Sequence, residues 1–526
     1  YRQFIHLYDF DVDFPVRLCD VKKFAIKHMS INVYGTDADN QVVYPIQVES
    51  VSLPRHVDLL LYEHGDLQHW VTISNFSRLI SKQLSNHQHQ VFCCPQCLHA
   101  FSRADLLALH REDCCHVQRT IIPKDATLKF TNIHKQLPAP FVVYADFESI
   151  LTPIGDNNVD TATGVRALPE DGWQSKTEVF QEHTPCSFAY KIVSIDPNYS
   201  KELISYRGVD AAEQFLNLLQ EEANELKENY IMSPKPMSPL TAEEMQSFNA
   251  ATICHICEQS LGDDCVKDHC HIMGNYHGAA HNNCNLMYRI NPKQWKLPVF
   301  IHNLKGYDSH LIIKALRKQH GSTWVIPQNM EKYLSFSVGI VRFVDSMQFA
   351  PQSLDSLVST LSANEFNHVR KEFPLPEHFD LVSKKGVYPY DYMDSFDKFG
   401  VTQLPSRDEF FSKLYDTSIT AEQYEHAQQV WQSFGCETMA DYHDIYLTCD
   451  VLLLADVFEK FRKMCLTNYK LDAAHYFTSP GLSFDAALRM TRVDLEVLPD
   501  IDMVHFVEKG IRGGISMITT RYAEAN

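Results

Sequence analysis

The most constraining feature of the chain is an apolar run, Phe141–Ser149, that contains two carboxylates. The run follows Pro138 and Pro140, and its aromatic and β-branched residues predict a buried strand. Side chains two residues apart lie on the same face of a strand, so Asp146 and Glu148 share a face. Two acids on one face of a buried strand repel each other unless a cation lies between them. By itself, the pattern fits either a metal site or a strand that ends in a solvated acidic turn.

Composition predicts a large globular protein, and the alternation of predicted strands and helices along the chain leads us to expect the α/β class. Of the 526 residues, 45% are hydrophobic and 21% are charged, and this length suggests roughly two to four domains. No apolar run is long enough to span a bilayer or forms a secretory signal, so we expect no membrane partner and an intracellular, nuclear location. The net charge of −19 argues against a surface that binds nucleic acid everywhere, but it allows a nuclease with a locally basic groove. The chain starts at Tyr1 instead of Met, and we expect it to be a fragment.

The first 90 residues predict a small α/β module. Apolar runs predict strands at 31–34 and 56–62, and Ser77–Leu84 predicts a short helix. We find no catalytic constellation here. A docking role and a DNA-contacting role both stay open for residues 1–90.

A first group of Cys and His residues has the spacing of a zinc finger over residues 91–118. The 15 cysteines of the chain fall mostly in pairs near histidines, which indicates zinc in a reducing compartment instead of disulfides. A CxxC pair followed by HxxxC supplies four tetrahedral ligands, and a closed site of this kind is structural. Neighbouring Cys93 and Cys115 leave open which thiols bind, and DNA recognition by the finger also stays open. We expect the ligands to be Cys94, Cys97, His110 and Cys114.

A second group follows the Pro- and Ser-rich linker at 233–239 and marks an insertion over residues 250–290. Its expected zinc ligands are Cys254, Cys257, His281 and Cys284. Asp268 and His269 lie between the two pairs, and Asn285 follows the last ligand. The segment resembles the His-Me finger nucleases of the endonuclease VII type. That resemblance implies a zinc-fastened hairpin and helix, with His269 as general base and with Asp268 and Asn285 holding one Mg²⁺. His277 departs from the family, which commonly has Arg there, and an insertion that no longer cleaves DNA is the alternative.

Two later segments add acids. An apolar strand, Leu297–His302, leads into Asn303 and Asp308, and an amphipathic helix follows. Further on, Tyr446 and Asp450 are four residues apart in a helical pattern and therefore share a helix face.

Together, the three segments resemble the exonuclease motifs of family B DNA polymerases: D-x-E, N-x-x-x-Y-D and Y-x-x-x-D, in that order. The resemblance extends over nearly the whole chain to the protein-primed polymerases of Maverick/Polinton elements. It implies an RNase H-like 3′–5′ exonuclease domain over residues 138–480, interrupted by the insertion. It also implies two Mg²⁺ (or Mn²⁺) ions about 4 Å apart, with Tyr446 orienting the attacking water. The implied metal ligands are Asp146, Glu148, Asp308 and Asp450.

The resemblance also implies DNA contacts and partners. Asn303 would hold the single-stranded 3′ end, and Ser353–Leu354 resembles a single-strand-binding motif. Arg512, Gly513 and Gly514 resemble the element that contacts the template strand, although a plain glycine turn is the alternative. A helix at 481–498 and residues up to 526 would start a polymerase domain whose catalytic motifs follow Asn526. We therefore expect a DNA-directed DNA polymerase (a nucleotidyltransferase) represented by its proofreading part, with primer-template DNA, the polymerase half and a terminal protein as partners.

Three functions remain open from the sequence. The first is a proofreading exonuclease, the second is a His-Me finger endonuclease, and the third is a non-catalytic DNA-binding fragment organised by two zinc ions. Stepwise shortening of DNA, internal cutting, or neither would distinguish them.

Overall fold

The computed structural model describes residues 16, 18, 21, 30–36, 42–49, 53–64, 67–84, 92–114, 127–153, 181–199, 201–316, 321–329, 332–498 and 500–511. The chain divides into two compact units, Tyr1–Lys124 with Leu498–Asn526, and Asp125–Val497. Among the helices of the described residues, none has both the length and the apolar character of a membrane span.

The first unit contains a four-stranded mixed sheet and a small finger. Its elements are β1 (Ser30–Thr36), β2 (Val43–Gln47), β3 (His56–His64), β4 (Leu67–Thr72), α1 (Phe76–Leu84), β5 (Phe92–Cys93), β6 (Ala100–Phe101) and α2 (Ala104–Cys114). The sheet order is β2-β1-β3-β4, and β1 and β3 are parallel. Tyr34 and Ile80 are buried between the sheet and α1, whereas Val33 belongs to a separate core on the other face of the sheet. The strands predicted at 31–34 and 56–62 and the helix predicted at 77–84 are confirmed.

The second unit is built on a seven-stranded sheet. The strands of the whole unit, including those outside this sheet, are β7 (Thr127–Leu128), β8 (Phe141–Pro153), β9 (Gln181–Ser194), β10 (Ile204–Arg207), β11 (Val266–His269), β12 (Tyr276–Ala280), β13 (Leu297–Ile301), β14 (Thr323–Pro327), β15 (Tyr333–Val338), β16 (Val341–Asp345) and β17 (Leu495–Glu496). Its helices are α3 (Ala211–Leu226), α4 (Ala242–Ala250), α5 (Asn282–Met287), α6 (Asp308–Lys314), α7 (Leu354–Val358), α8 (Asn367–Glu372), α9 (Pro376–Val382), α10 (Ala421–Ser433), α11 (Met439–Tyr469) and α12 (Ser479–Thr491). The last helix of the described residues, α13 (Ile501–Gly510), belongs to the first unit.

The sheet order is β10-β9-β8-β13-β16-β15-β14. Strands β8, β9 and β10 form an antiparallel meander, and β13 and β16 run parallel to β8. Because β8, β13 and β16 are parallel, residues at or after their carboxyl ends meet at one edge of the sheet.

Strand β8 is buried on both faces because its alternate residues pack against different helices. Phe141, Val143 and Phe147 belong to the core that contains α3, whereas Val142 and Tyr144 belong to the core that contains α11. Asp146 and Glu148 continue the second series, so they face the same side as α11. The buried strand predicted from Phe141 to Ser149 is confirmed.

The helix predicted at 481–498 is confirmed only in part. Helix α12 ends at Thr491 because Arg492 adopts a left-handed conformation, with φ 55°. The chain then forms β17, which pairs with β7. The last third of the predicted helix is therefore extended.

A buried ion pair connects α11 to the start of the sheet. The guanidinium of Arg462 donates to both carboxylate oxygens of Asp472, over 2.9 and 2.6 Å. Asp472 also accepts from the backbone N–H groups of Ala139 (2.7 Å) and Ala474 (2.9 Å). Although burial alone would raise it, Arg462 holds the pKa of Asp472 below its usual value. The pair thus fixes the segment that leads into β8 against α11.

We predict that Arg462→Ala destabilises the chain by about 3–5 kcal/mol, because it leaves the Asp472 carboxylate buried without its cation. The matched control is Lys463→Ala, since Lys463 is the next residue of α11 and is exposed. We expect this control to stay within about 0.5 kcal/mol of wild type. Urea denaturation followed by circular dichroism measures both, and equal stabilities of the two variants would contradict the role of the pair.

Candidate active site

Strand β8 and helix α11 bring three acids together. Asp146 and Glu148 lie in the middle of β8, just past the residues that pair with β13, and a β-bulge follows Glu148. Asp450 is buried on α11, one turn after Tyr446. Ligand oxygens of Asp146, Glu148 and Asp450 all lie within 4.8 Å of one another. The fold therefore brings residues about 300 positions apart in sequence into one metal-sized cluster.

Asp308 approaches this cluster from β13. The chain turns at Asn303, whose φ is 63°, and its backbone carbonyl accepts from the N–H groups of Gly306 (2.9 Å) and Tyr307 (3.1 Å). A Cβ on Gly306 would lie 2.4 Å from Oδ1 of Asn303, so a larger residue here would force the Asn303 side chain to move. Helix α6 then begins at Asp308, which is 3% exposed. Asp308 is outside the group of three whose oxygens lie within 4.8 Å, but its charge acts on Glu148 and Asp146 acts on it.

Burial and mutual repulsion make these carboxyls hard to ionise without a cation. Burial, followed by the charge of Asp450, raises the pKa of Asp146 to about 7. The same two causes, burial and then neighbouring carboxylates, raise the pKa of Glu148 and of Asp308 well above their usual values. Oδ1 of Asp308 and Oδ1 of Asp450 are shielded from solvent and have no hydrogen-bond partner. Unpaired, buried carboxylate oxygens are the ligands that Mg²⁺ prefers, so the residues present fit divalent cations.

Lys385 is a residue of this site that the sequence did not reveal. Its ammonium group bonds Oδ2 of Asp450. Although burial alone would lower it, Asp450 raises the pKa of Lys385 above its usual value, so the lysine stays charged. Lys385 lies in a loop without helical or strand periodicity, and one lysine in a loop gives no sequence signal.

The same loop positions Tyr446. The phenol of Tyr390 lies 2.8 Å from the phenol of Tyr446, and the ring of Tyr388 stacks on the Tyr446 ring with centroids 5.0 Å apart. His443 is fully buried and lies 2.6 Å from both the Tyr388 hydroxyl and the Ser187 hydroxyl. Burial lowers the pKa of His443 to about 3, so the imidazole is neutral and connects β9, α11 and the loop.

Asp345 supports the turn that carries Asp308. It ends β16, is 2% exposed, and accepts from the backbone N–H groups of Lys305 (3.1 Å) and Met347 (3.0 Å). Its carboxylate is therefore already used by the backbone. We infer that it positions the turn and does not bind a metal.

The predicted DNA-binding residues lie in different environments. Asn303 is exposed, and Ser353 is exposed but uses its hydroxyl to cap α7 through the N–H of Ser356. Leu354 is only 6% exposed and belongs to the core, so its side chain is not available to DNA as the motif suggested. Arg512, Gly513 and Gly514 lie outside the described residues.

Each unit contains one closed group of four metal-type ligands. In the first unit these are Cys94, Cys97, His110 and Cys114, and in the second they are Cys254, Cys257, His281 and Cys284. Within each group all ligand atoms lie within 4.8 Å of one another, as four tetrahedral zinc ligands require. Nδ1 of His281 faces the sulfurs of Cys257 (3.4 Å) and Cys284 (3.8 Å), while Nε2 lies 2.9 Å from the carbonyl of Ser260. This arrangement of a ligand and its outer partner is typical of zinc-bound histidine.

In the insertion, the predicted metal ligand Asp268 already has two histidine partners. The insertion does form a hairpin, β11–β12, followed by α5. However, Oδ2 of Asp268 lies 3.1 Å from both Nε2 of His255 and Nδ1 of His277, and Asp268 is 1% exposed. Although burial alone would lower it, Asp268 raises the pKa of His277 to about 9. A protonated His277 thus neutralises the acid that the resemblance assigns to Mg²⁺, and among the described residues Asp268 is in none of the metal-type groups.

Comparison with known proteins supports a polymerase relationship for the carboxyl-terminal part of the chain. Residues 289–525 match the family model described as DNA polymerase type B, organellar and viral. This part of the chain is similar to the type B DNA polymerases. The match includes Asp308, Lys385 and Asp450, covers less than half of the chain, and begins after Asp146 and Glu148. No curated protein and no solved structure gives a significant match.

We predict that Mg²⁺ raises the melting temperature of the chain more at pH 8 than at pH 6. The pKa of Asp146 rises from 3.8 to about 7, so at pH 6 protons compete with the metal. In the metal-free chain the cost of ionising Asp146 develops between pH 3.8 and about 7 and is fully present above that. Asp146→Asn removes this cost, so at pH 8 the metal-free variant should melt above metal-free wild type and gain little from Mg²⁺.

Differential scanning fluorimetry without chelators, which keeps any bound zinc in place, measures these shifts. An equal Mg²⁺ shift at both pH values, or an undiminished shift in Asp146→Asn, would contradict the cation site.

Proposed function

We propose that this chain is the part of a family B DNA polymerase that carries a two-metal 3′–5′ exonuclease. The observation that carries the proposal is the convergence of Asp146, Glu148 and Asp450, with Asp308 beside them, in a buried cluster with unpaired oxygens. A buried cluster of four carboxyls and one lysine is costly unless cations bind it. Hydrolysis of a phosphodiester is the chemistry for which paired Mg²⁺ ions on carboxylates are suited.

The sheet and the family match support the same proposal. A meander of three strands, with two further strands parallel to the first, is consistent with an RNase H-like exonuclease domain. The family match places two of the four acids, and the lysine beside them, in a region similar to type B polymerases.

The four acids and Lys385 have different roles in the proposed hydrolysis. Two bound Mg²⁺ ions would supply a hydroxide near neutral pH and stabilise the leaving oxygen. Asp146, Glu148, Asp308 and Asp450 would hold them. Lys385 aligns Asp450, because its ammonium bonds one carboxylate oxygen and leaves the other unpaired.

Tyr446 would orient the attacking water. Its hydroxyl lies 2.8 Å from Tyr390, and its ring packs on Tyr388, so its position is fixed before a substrate arrives. The exposed Asn303, at the turn before Asp308, would contact the single-stranded 3′ end of DNA. We extend the proposal to a primer-template substrate and to a polymerase half and a terminal protein as partners.

We predict that the purified chain with Mg²⁺ shortens a 5′-labelled single-stranded oligonucleotide stepwise. Asp146→Ala should lower the rate by at least about a thousandfold, because the carboxylates act as a unit. Asp397→Ala is the matched control, since Asp397 is exposed, and it should shorten DNA at the wild-type rate. Gel electrophoresis of timed samples gives the rates.

The same gels separate the competing functions. Internal cuts that persist in Asp146→Ala and disappear in His269→Ala would assign endonuclease activity to the insertion. No shortening by a folded, zinc-loaded wild-type chain with Mg²⁺ would contradict an exonuclease that works in this chain.

A further inference from the structure

A polar cavity lies at the amino ends of the parallel strands, on the other side of the sheet's midline from the carboxylate cluster. It has a volume of about 410 Å³ and is lined by the first residues of three parallel strands, Phe141 of β8, Pro298 of β13 and Arg342 of β16. Asp146 and Glu148 lie further along β8, Asp308 follows β13, and none of the four acids lines the cavity, so the cavity is separate from the carboxylate cluster. Its volume is within the range of about 300–1,000 Å³ that small-ligand pockets occupy.

Arg342 is the central cation of this cavity. One terminal nitrogen donates to the carbonyl of Ala474 over 2.5 Å, but Nε is shielded from solvent and has no hydrogen-bond partner. Burial lowers the pKa of Arg342 to about 10, which shows how poorly its charge is solvated. Asp472, whose charge acts on Arg342, is already paired with Arg462. An anion in the cavity would supply the missing partner.

Two more cations line the same space. Lys296 and Arg289 are lining residues, and burial followed by the charge of Arg342 lowers the pKa of Lys296. The lining contains no carboxylate. Within the part of the chain that the structure describes, no carboxylate lies within ion-pair distance of Arg289, Lys296 or Arg342. Three like charges around one space, without an acid among them, favour a multiply charged anion.

An aromatic surface adjoins these cations. The Lys296 ammonium lies 5.6 Å from the ring centroid of Trp324, and the Arg342 guanidinium lies 5.3 Å from that of Phe477. The rings of Trp324 and Phe477 are 6.1 Å apart. Trp324 is 49% exposed although it is large and apolar, so its indole is free to stack with another ring. Cations next to an exposed aromatic ring are the combination that recognises a phosphate joined to a base.

We propose that this cavity is a nucleotide-binding site, in which Arg342, Lys296 and Arg289 bind phosphate and Trp324 stacks on the base. The ligand is a nucleoside phosphate, either free or as one unit of a single strand of nucleic acid. The site goes beyond the proposed exonuclease, because it uses none of the four acids and lies at the amino ends of the parallel strands.

The test measures binding to the full chain without added divalent metal and without chelator. Under these conditions the four carboxyls have no cation to attract phosphate, whereas the cavity keeps its own charges. The probes are 2′-deoxyadenosine monophosphate, followed by calorimetry, and a fluorescent oligothymidylate, followed by anisotropy. Arg342→Gln and Lys296→Gln should each raise Kd by about tenfold or more. Lys332→Gln, at an exposed lysine directly before β15, is the control and should change Kd by less than about twofold.

The Kd values for the two probes identify the source of the ligand or contradict the proposed site. Weaker binding of both probes in the two variants supports a site for any nucleoside phosphate. Weaker binding of the oligonucleotide alone supports a site for one unit of a strand. If Arg342→Gln melts well below wild type, the Kd values of Lys296→Gln and of the surface variant Trp324→Ala test the proposal instead. No binding of either probe by wild type, or unchanged Kd values in the folded variants, would overturn the proposal.

Discussion

Electrostatic repulsion among four carboxyls that lie close together in the second unit is the interaction that the rest of this unit must overcome. Asp146, Glu148, Asp308 and Asp450 are held in place by a strand, a turn and a long helix whose apolar residues pack tightly around them. Only Lys385 offsets their charge directly among the described residues. Hydrophobic burial therefore holds together acids that would otherwise separate, and the remaining unfavourable charge would favour binding of divalent cations.

The structure supports this cluster through interactions that do not touch it. The pair of Arg462 and Asp472 fixes the start of β8, and Asp345 shapes the turn before Asp308. The neutral His443 joins β9 to the loop that carries Tyr388 and Lys385. Each of these polar groups is buried and hydrogen-bonded, so the acids are held in position before a metal or DNA binds.

Much of this arrangement could be predicted from the sequence, and the reasons are local. Strand β8 is recognisable because nine consecutive residues alternate toward two cores, and α11 because Tyr446 and Asp450 lie one helical turn apart. The two Cys and His groups were predictable because zinc fixes both ligand type and spacing. Lys385 and Tyr390 were not predictable, because their loop has no period and meets α11 only in the folded chain.

Other differences also arise from tertiary contacts. Leu354 was predicted to contact DNA, but its side chain is buried in the hydrophobic core. Asp268 was predicted to bind Mg²⁺ if the insertion is active, and in the structure it contacts two histidines that lie 13 and nine positions away. The cavity around Arg342 has no sequence signature, since its cations come from separate segments that the sheet brings together.

Counting bound divalent ions tests the central claim most directly. Mn²⁺ can replace Mg²⁺ on carboxylate ligands and is visible by electron paramagnetic resonance. The account predicts two Mn²⁺ ions per chain at pH 8, close enough for their spins to couple, and loss of the coupled signal in Asp146→Ala. A coupled pair that persists in Asp146→Ala, or the absence of any bound Mn²⁺ in wild type, would contradict it.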